Sequence, residues 1–203
     1  MGSFIVVLIA GILMGYLVYA YVNRKISKKM KILILANVLL YVMIYIIEGI
    51  QIESVLHAMM SSVLLALGLI DAFTFEIPLE CNIIIGVLGI CQILLDRKNW
   101  LEYLIGAVTV SGIFLIVYLL TKGKGIGGGD IKLMAAAGLL LGWEKILLSL
   151  FIASIMGSII HPTLMKLKNK EKVLAFGPYL AAGIYISALL GDAMIHKYLS
   201  FFA

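Results

Sequence analysis

Charged residues are scarce in this chain of 203 residues: they make up 13% of it, against 63% hydrophobic residues. Together with a mean hydropathy of +1.13, that shortage excludes an ordinary soluble domain. Cysteine is nearly absent too. Cys81 and Cys91 stand alone, with neither the spacing nor the number of partners that a zinc site needs, and they imply no disulfide framework. No basic region precedes the first apolar run and no Ala-x-Ala-like site follows it, so a cleaved signal peptide is not expected. Internal repeats, low-complexity tracts and linkers are missing, and one membrane-embedded domain over residues 1–203 is expected. The apolar runs do not alternate with polar residues as barrel strands would, which leaves helices.

What is present is a series of long apolar runs: Ser3 to Val22, Ile32 to Ile47, Val55 to Ile70, Asn82 to Leu95, Leu101 to Leu120, Ile131 to Trp143, Ile146 to Met165, and Gly177 to Met194. At about 20 residues per crossing, they predict an all-α, polytopic membrane helix bundle of about eight transmembrane helices. The run beginning at Ile131 is short, so either its first end lies below the bilayer surface or the preceding glycines add depth. Trp100, Trp143 and Tyr198 stand near run ends, as interfacial anchors do.

Most of the 16 basic residues fall in alternate connections: Arg24, Lys25, Lys28, Lys29 and Lys31; then Lys122, Lys124 and Lys132; then Lys166, Lys168, Lys170 and Lys172. By the positive-inside rule those connections are cytoplasmic and the N-terminus is outside. The net charge of +5 is then a matter of membrane orientation, and no nucleic-acid partner is expected.

Against this apolar background two carboxylates stand out. Asp71 closes the third run and Asp130 follows Gly127, Gly128 and Gly129. An ionisable group at the edge of a span reads first as functional. Two crossings separate the pair, so both lie at the cytoplasmic end and can share a site. Two neighbouring carboxylates share a proton; one activates water while the other protonates a carbonyl oxygen or leaving amine, without a metal or other cofactor. Glycines without Cβ atoms let an extended substrate strand approach, or serve as a plain hinge. Asp130 is equally a good helix N-cap, and Asp71 an interfacial residue closing a span. A helix start favours a carboxylate and a helix end disfavours it, so Asp130 is expected to ionise first.

Three segments in order carry a family resemblance. Asp71-Ala-Phe-Thr-Phe-Glu-Ile-Pro78 resembles the first catalytic block of type IV prepilin peptidases, an aspartate six residues before an Ile/Leu-Pro pair. Gly127-Gly128-Gly129-Asp130-Ile-Lys-Leu-Met-Ala-Ala-Ala-Gly138 resembles the second, the G-x-G-D block, with Gly142-Trp143 closing it. Phe176-Gly177-Pro178-Tyr179-Leu180-Ala181 is similar to the Phe-Gly-Pro segment that opens the last span. The resemblance implies a membrane aspartic endopeptidase that removes basic leaders from type IV prepilins or pseudopilins, at the cytoplasmic face of a prokaryotic plasma membrane. It makes Asp71 and Asp130 the catalytic pair. Gly127, Gly128, Gly129, Glu76, Pro78 and Lys132 are candidates for the substrate-binding loops; Lys132 and the Phe176 to Ala181 segment inherit motif membership without a chemical role.

Many members of that family carry a cytoplasmic insertion with two Cys-x-x-Cys pairs that bind zinc, and a linked N-methyltransferase activity. Here Asn23 to Lys31 fills that place, so neither zinc nor methyl transfer is expected. Glu76 and Glu80 are candidate contacts for a basic leader or plain solvated loop charges. His57 is read as a helix-to-helix hydrogen bond and Asn82 as a cap of the fourth helix. A closer alternative is a related G-x-G-D protease acting on other membrane-anchored precursors, such as archaellin-type ones; readings of other classes are a small transporter with coupling carboxylates and a noncatalytic assembly scaffold.

Overall fold

The computed structural model describes residues 2–168 and 175–201, with side chains omitted over 164–168. Eight α-helices follow one another: α1 (Gly2–Ile26), α2 (Ile32–Glu48), α3 (Ile52–Thr74), α4 (Leu79–Leu95), α5 (Trp100–Leu120), α6 (Gly128–Leu141), α7 (Trp143–Lys168) and α8 (Gly177–Leu199). All eight expected segments are therefore helical. Five of them, α1, α3, α5, α7 and α8, are long and apolar enough to cross a bilayer; α2 and α4 are apolar but shorter. The chain is a multi-pass helical membrane protein.

Lipid is the solvent its surface is built for. Ile46, Val108, Leu120 and Phe151 are exposed large hydrophobics, whereas Met60, Leu67, Ile85, Leu133, Met134 and Leu180 are sealed within the bundle. Water would make such a surface untenable; acyl chains match it. Trp100 and Trp143 open α5 and α7, where indole rings suit the interface. Of the three prolines, Pro78 is the N-cap of α4 and Pro178 lies in the first turn of α8, where a missing N–H costs no helical bond.

Helix α6 is the short one, and its length explains where it sits. At 1.5 Å per residue its fourteen residues reach only about 21 Å, less than a hydrocarbon core of about 30 Å. Gly128 and Gly129 supply its first two residues, so the glycine segment adds length to the helix. α6 packs against α4, α5 and α7. Its crossing with α5 depends on glycine at both positions: a Cβ on Gly138 would strike the Gly106 carbonyl, and one on Gly106 would meet Gly142 Cα at 2.9 Å. A Cβ on Gly89 of α4 would sit 2.6 Å from Leu139 Cβ. Small residues that let backbones touch are the means by which helices associate where lipid offers no hydrophobic drive.

The connections sort to two ends. At one end Lys25 pairs with Glu80 at 3.1 Å and Lys28 lies 3.8 Å from the centre of the Phe73 ring, joining the end of α1 to the start of α4 and the α1–α2 connection to the end of α3. At the other, His57 Nδ1 of α3 meets Glu48 Oε1 of α2 at 2.8 Å, a helix-to-helix contact of the kind anticipated for His57. Lys145 meets Asp192 at 2.8 Å there. Lys170 and Lys172 lie outside the described residues, as do the side chains of Lys166 and Lys168.

The crossing of α5 and α6 gives a direct test. Gly138→Leu should abolish the folded bundle or lower its melting temperature in detergent steeply, because overpacking against backbone costs ~1–3 kcal/mol or more. Gly112→Ala on the same α5 should melt like the parent, since its Cβ meets nothing nearer than 3.8 Å.

Candidate active site

Asp71 lies in the last turn of α3 and is 5% exposed. Its Oδ2 accepts a 2.9 Å hydrogen bond from the backbone N–H of Gly177, the first residue of α8. The glycine is required sterically, since a Cβ there would stand 2.6 Å from Oδ2 and 2.8 Å from Cγ of Asp71. After Asp71 the helix ends at Phe75, whose left-handed φ of 57° turns the chain sharply while its N–H bonds back to the Asp71 carbonyl at 2.8 Å. A bulky residue in that region is strained and needs surrounding structure to hold it. The turn carries Glu76 and Ile77 across to the start of α6.

Asp130 is the third residue of α6 and half-buried. Its Oδ2 reaches back to accept the N–H of Gly127 at 3.2 Å, which caps the helix from inside. Gly127 is the extended N-cap, while Gly128 and Gly129 are already helical. None of the three takes a positive φ, so the segment is a helix start and not the hinge that its composition allows. Gly129 is wedged against Ile77, whose Cβ would be 3.0 Å from an added methyl, and Gly128 faces open space.

Asp71, Phe75, Glu76, Ile77, Gly127, Gly128, Gly129 and Asp130 line one cavity of about 300 Å³. The structure thus brings together both aspartates, Glu76 and the glycine triplet. Lys132 is exposed and Pro78 is half-buried as the N-cap of α4; neither is among the residues lining the cavity. Glu76 is exposed at this cavity, whereas Glu80 is paired with Lys25. An apolar cavity of about 340 Å³ adjoins the same turn of α3, its walls including Gly68, Ala72, Pro178, Ala181 and Tyr185.

Two sequence expectations change here. Asp71 closes its own helix, yet its carboxylate faces the N-terminus of α8, so both aspartates face helix starts and the contrast expected from helix ends disappears. Asn82 does not cap α4. Pro78 holds that position, and Asn82, one turn further on, donates from Nδ2 to the Gly129 carbonyl at 3.3 Å. The Phe-Gly-Pro segment pointed to Gly177, and the Ile-Pro pair to Ile77, without the role of either; the left-handed turn at Phe75 and the Asn82 contact carry no local signal.

A bundle of apolar helices with two carboxylates facing one cavity at its end defines a polytopic membrane protein with a paired-aspartate site. The model of the family described as "Type IV leader peptidase family" matches residues 58–161, a segment that includes both aspartates. The chain belongs to that family. It is 38% identical over 97 residues to the "Prepilin leader peptidase/N-methyltransferase" of Aeromonas salmonicida (strain A449), covering 47% of this chain and 33% of that protein. Its identity to the Pseudomonas aeruginosa protein of the same name is 35% over 98 residues, covering 47% and 34%. With the Bacillus subtilis (strain 168) protein of that name it is 27% over 154 residues, covering 74% and 62%. The matched segments thus span about a third of the Aeromonas and Pseudomonas relatives. No solved structure matches the chain.

The contact between α3 and α8 is testable without any substrate. Gly177→Ala should displace the Asp71 carboxyl and shift its infrared band, identified by difference against Asp71→Asn, while circular dichroism keeps the parental helix content. An unmoved band would show that the Asp71 to Gly177 contact does not hold the carboxyl.

Proposed function

We propose that this chain is a membrane aspartic endopeptidase that removes the basic leader from type IV prepilins or pseudopilins. The observation that carries the reading is the cavity shared by Asp71 and Asp130, bounded by a glycine helix start that leaves backbone accessible. Family membership supports the reaction class, and the names of the relatives point to the substrate.

In the reaction one carboxylate takes a proton from water as its oxygen attacks the scissile carbonyl carbon, and the protonated partner donates to the carbonyl oxygen. The tetrahedral gem-diol collapses: one of its hydroxyls returns a proton to the aspartate that had donated, C=O reforms, the C–N bond breaks, and the amine leaves with the proton that the other carboxyl had taken from water. Each aspartate is acid and base in turn, so both are needed, and no metal or other cofactor takes part in these steps. Glu76 supplies negative charge at the cavity for the leader's Lys and Arg residues. The apolar cavity beside Asp71 is a place for side chains of the hydrophobic segment beyond the cut. The end of the bundle bearing the site is the cytoplasmic one, on the basic connections, and the membrane is the prokaryotic plasma membrane.

Coexpression with candidate prepilins, followed by N-terminal sequencing of the mature products, tests the reading. Asp71→Asn and Asp130→Asn should each lower cleavage on the order of 10³-fold or more while remaining in the membrane; substantial activity in either would exclude the paired mechanism. The rate should be bell-shaped in pH, because one carboxyl must be ionised and the other protonated, and it should decline on both sides. Glu76→Gln should raise KM for a basic leader about two- to five-fold, the range of an exposed ion pair, with kcat nearly unchanged and the difference shrinking in high salt. A salt-independent loss of kcat would remove Glu76 from leader binding.

A further inference from the structure

Asn82 is 5% exposed and sits inside the bundle in the first part of α4. Its Nδ2 donates to the carbonyl oxygen of Gly129 at 3.3 Å. Its Oδ1 is buried and has no hydrogen-bond partner among the described residues. An unpaired buried acceptor is costly, and an apolar side chain of similar size would avoid that cost. The bond to Gly129 is thus what the amide contributes. A carbonyl oxygen has two lone pairs, so Gly129 can accept from Asn82 as well as within its own helix.

Gly129 is packed from another direction against Ile77, whose Cβ would stand 3.0 Å from an added Cβ. The first turn of α6 is therefore clamped between the segment that follows α3 and the first part of α4, and Asp130 is the next residue along. The carboxyl of Asp130 is itself tied to Gly127 at 3.2 Å. Wherever that first turn goes, Asp130 goes too. Asp71 from α3 and Glu76 from the α3–α4 connection face the same cavity, so a displacement of Asp130 alters its separation from both.

We propose that Asn82 is a positioning residue that acts through Gly129 to hold the Asp130 carboxyl opposite Asp71. The proposal rests on the peptidase reading for its catalytic consequence, but the positioning itself can be measured without substrate. Displacements of about 1 Å at a reacting group cost about 100-fold in rate, so a weak bond at this place has a large effect.

The test uses the full chain in detergent or lipid nanodiscs with Asn82→Leu, Asn82→Ala and Asn82→Thr. Infrared titration of the Asp130 carboxyl, referenced to Asp130→Asn, reads its surroundings. Cleavage of a peptide with a basic leader and an apolar segment gives kcat, KM and their pH profiles. Leu and Ala should move the Asp130 titration, lower kcat about 10- to 100-fold and leave KM within about two-fold of the parent. Thr, whose hydroxyl donates, should restore the parental titration and most of kcat. An unmoved titration in both Leu and Ala overturns the proposal, as does a loss confined to KM. Failure of both to reach parental helix content also overturns it, by making Asn82 a packing residue. A parent that cleaves no precursor while its Asp130 titration responds to Asn82 would retire the peptidase reading and leave the positioning standing.

Discussion

A carboxylate buried at the end of a lipid-facing bundle has to find donors, and Asp71 finds one 106 residues away, at the N–H of Gly177. That bond ties α3 to α8 where both begin or end, and much of the site depends on it. It requires Gly177 to lack a side chain, a following Pro178 to start the helix without wasting an N–H, and a sharp reversal after Asp71 at Phe75. The reversal in turn brings Ile77 against Gly129 and fixes where α6 begins. Asp130 stands one residue further on. The two acids are thus connected through backbone contacts on either side of the cavity and not by a direct bond between them.

Such an arrangement reconciles two demands. Burial makes an unpaired carboxylate expensive, so each aspartate has a backbone N–H. The proposed chemistry requires that some carboxylate oxygen remain free, and each aspartate gives only one oxygen, its Oδ2, to these bonds. The cavity between them is bounded by glycine and by the exposed Glu76, which keeps a route to water at the end of an otherwise apolar molecule.

The sequence made the helices legible because lipid imposes a simple pattern: unbroken apolar runs of nearly the right length, each a helix by necessity. The aspartates were legible for the same reason, as charges where charge is costly. What could not be read was partner choice. Asn82 looks like a cap because it stands near a helix start and asparagine favours such places. The chain starts the helix earlier, at Leu79 after Pro78, and the amide turns to Gly129. Likewise the position of Asp71 at a helix end was correct, but its electrostatic meaning was not, because the N-terminus it faces belongs to α8. A hydrophobic pattern fixes which face of a helix is buried, and not which residue of a distant helix stands opposite.

The glycine triplet shows how one composition covers three physical requirements. At Gly127 an added Cβ would lie 3.1 Å from Asp130 Oδ2, so a side chain there would crowd the carboxylate that caps the helix. At Gly129 an added Cβ would lie 3.0 Å from Ile77 Cβ, so a side chain there would push Ile77 back. Gly128 has nothing within 4 Å of where a Cβ would be, although it lines the cavity. Neither packing nor a positive φ calls for glycine at that position. What a side chain there would change is the space beside the carboxylates, where it would stand between the backbone and anything entering. The bare backbone at Gly128 is therefore the part of the triplet that bears on what enters the cavity, while its neighbours bear on how the cavity is built.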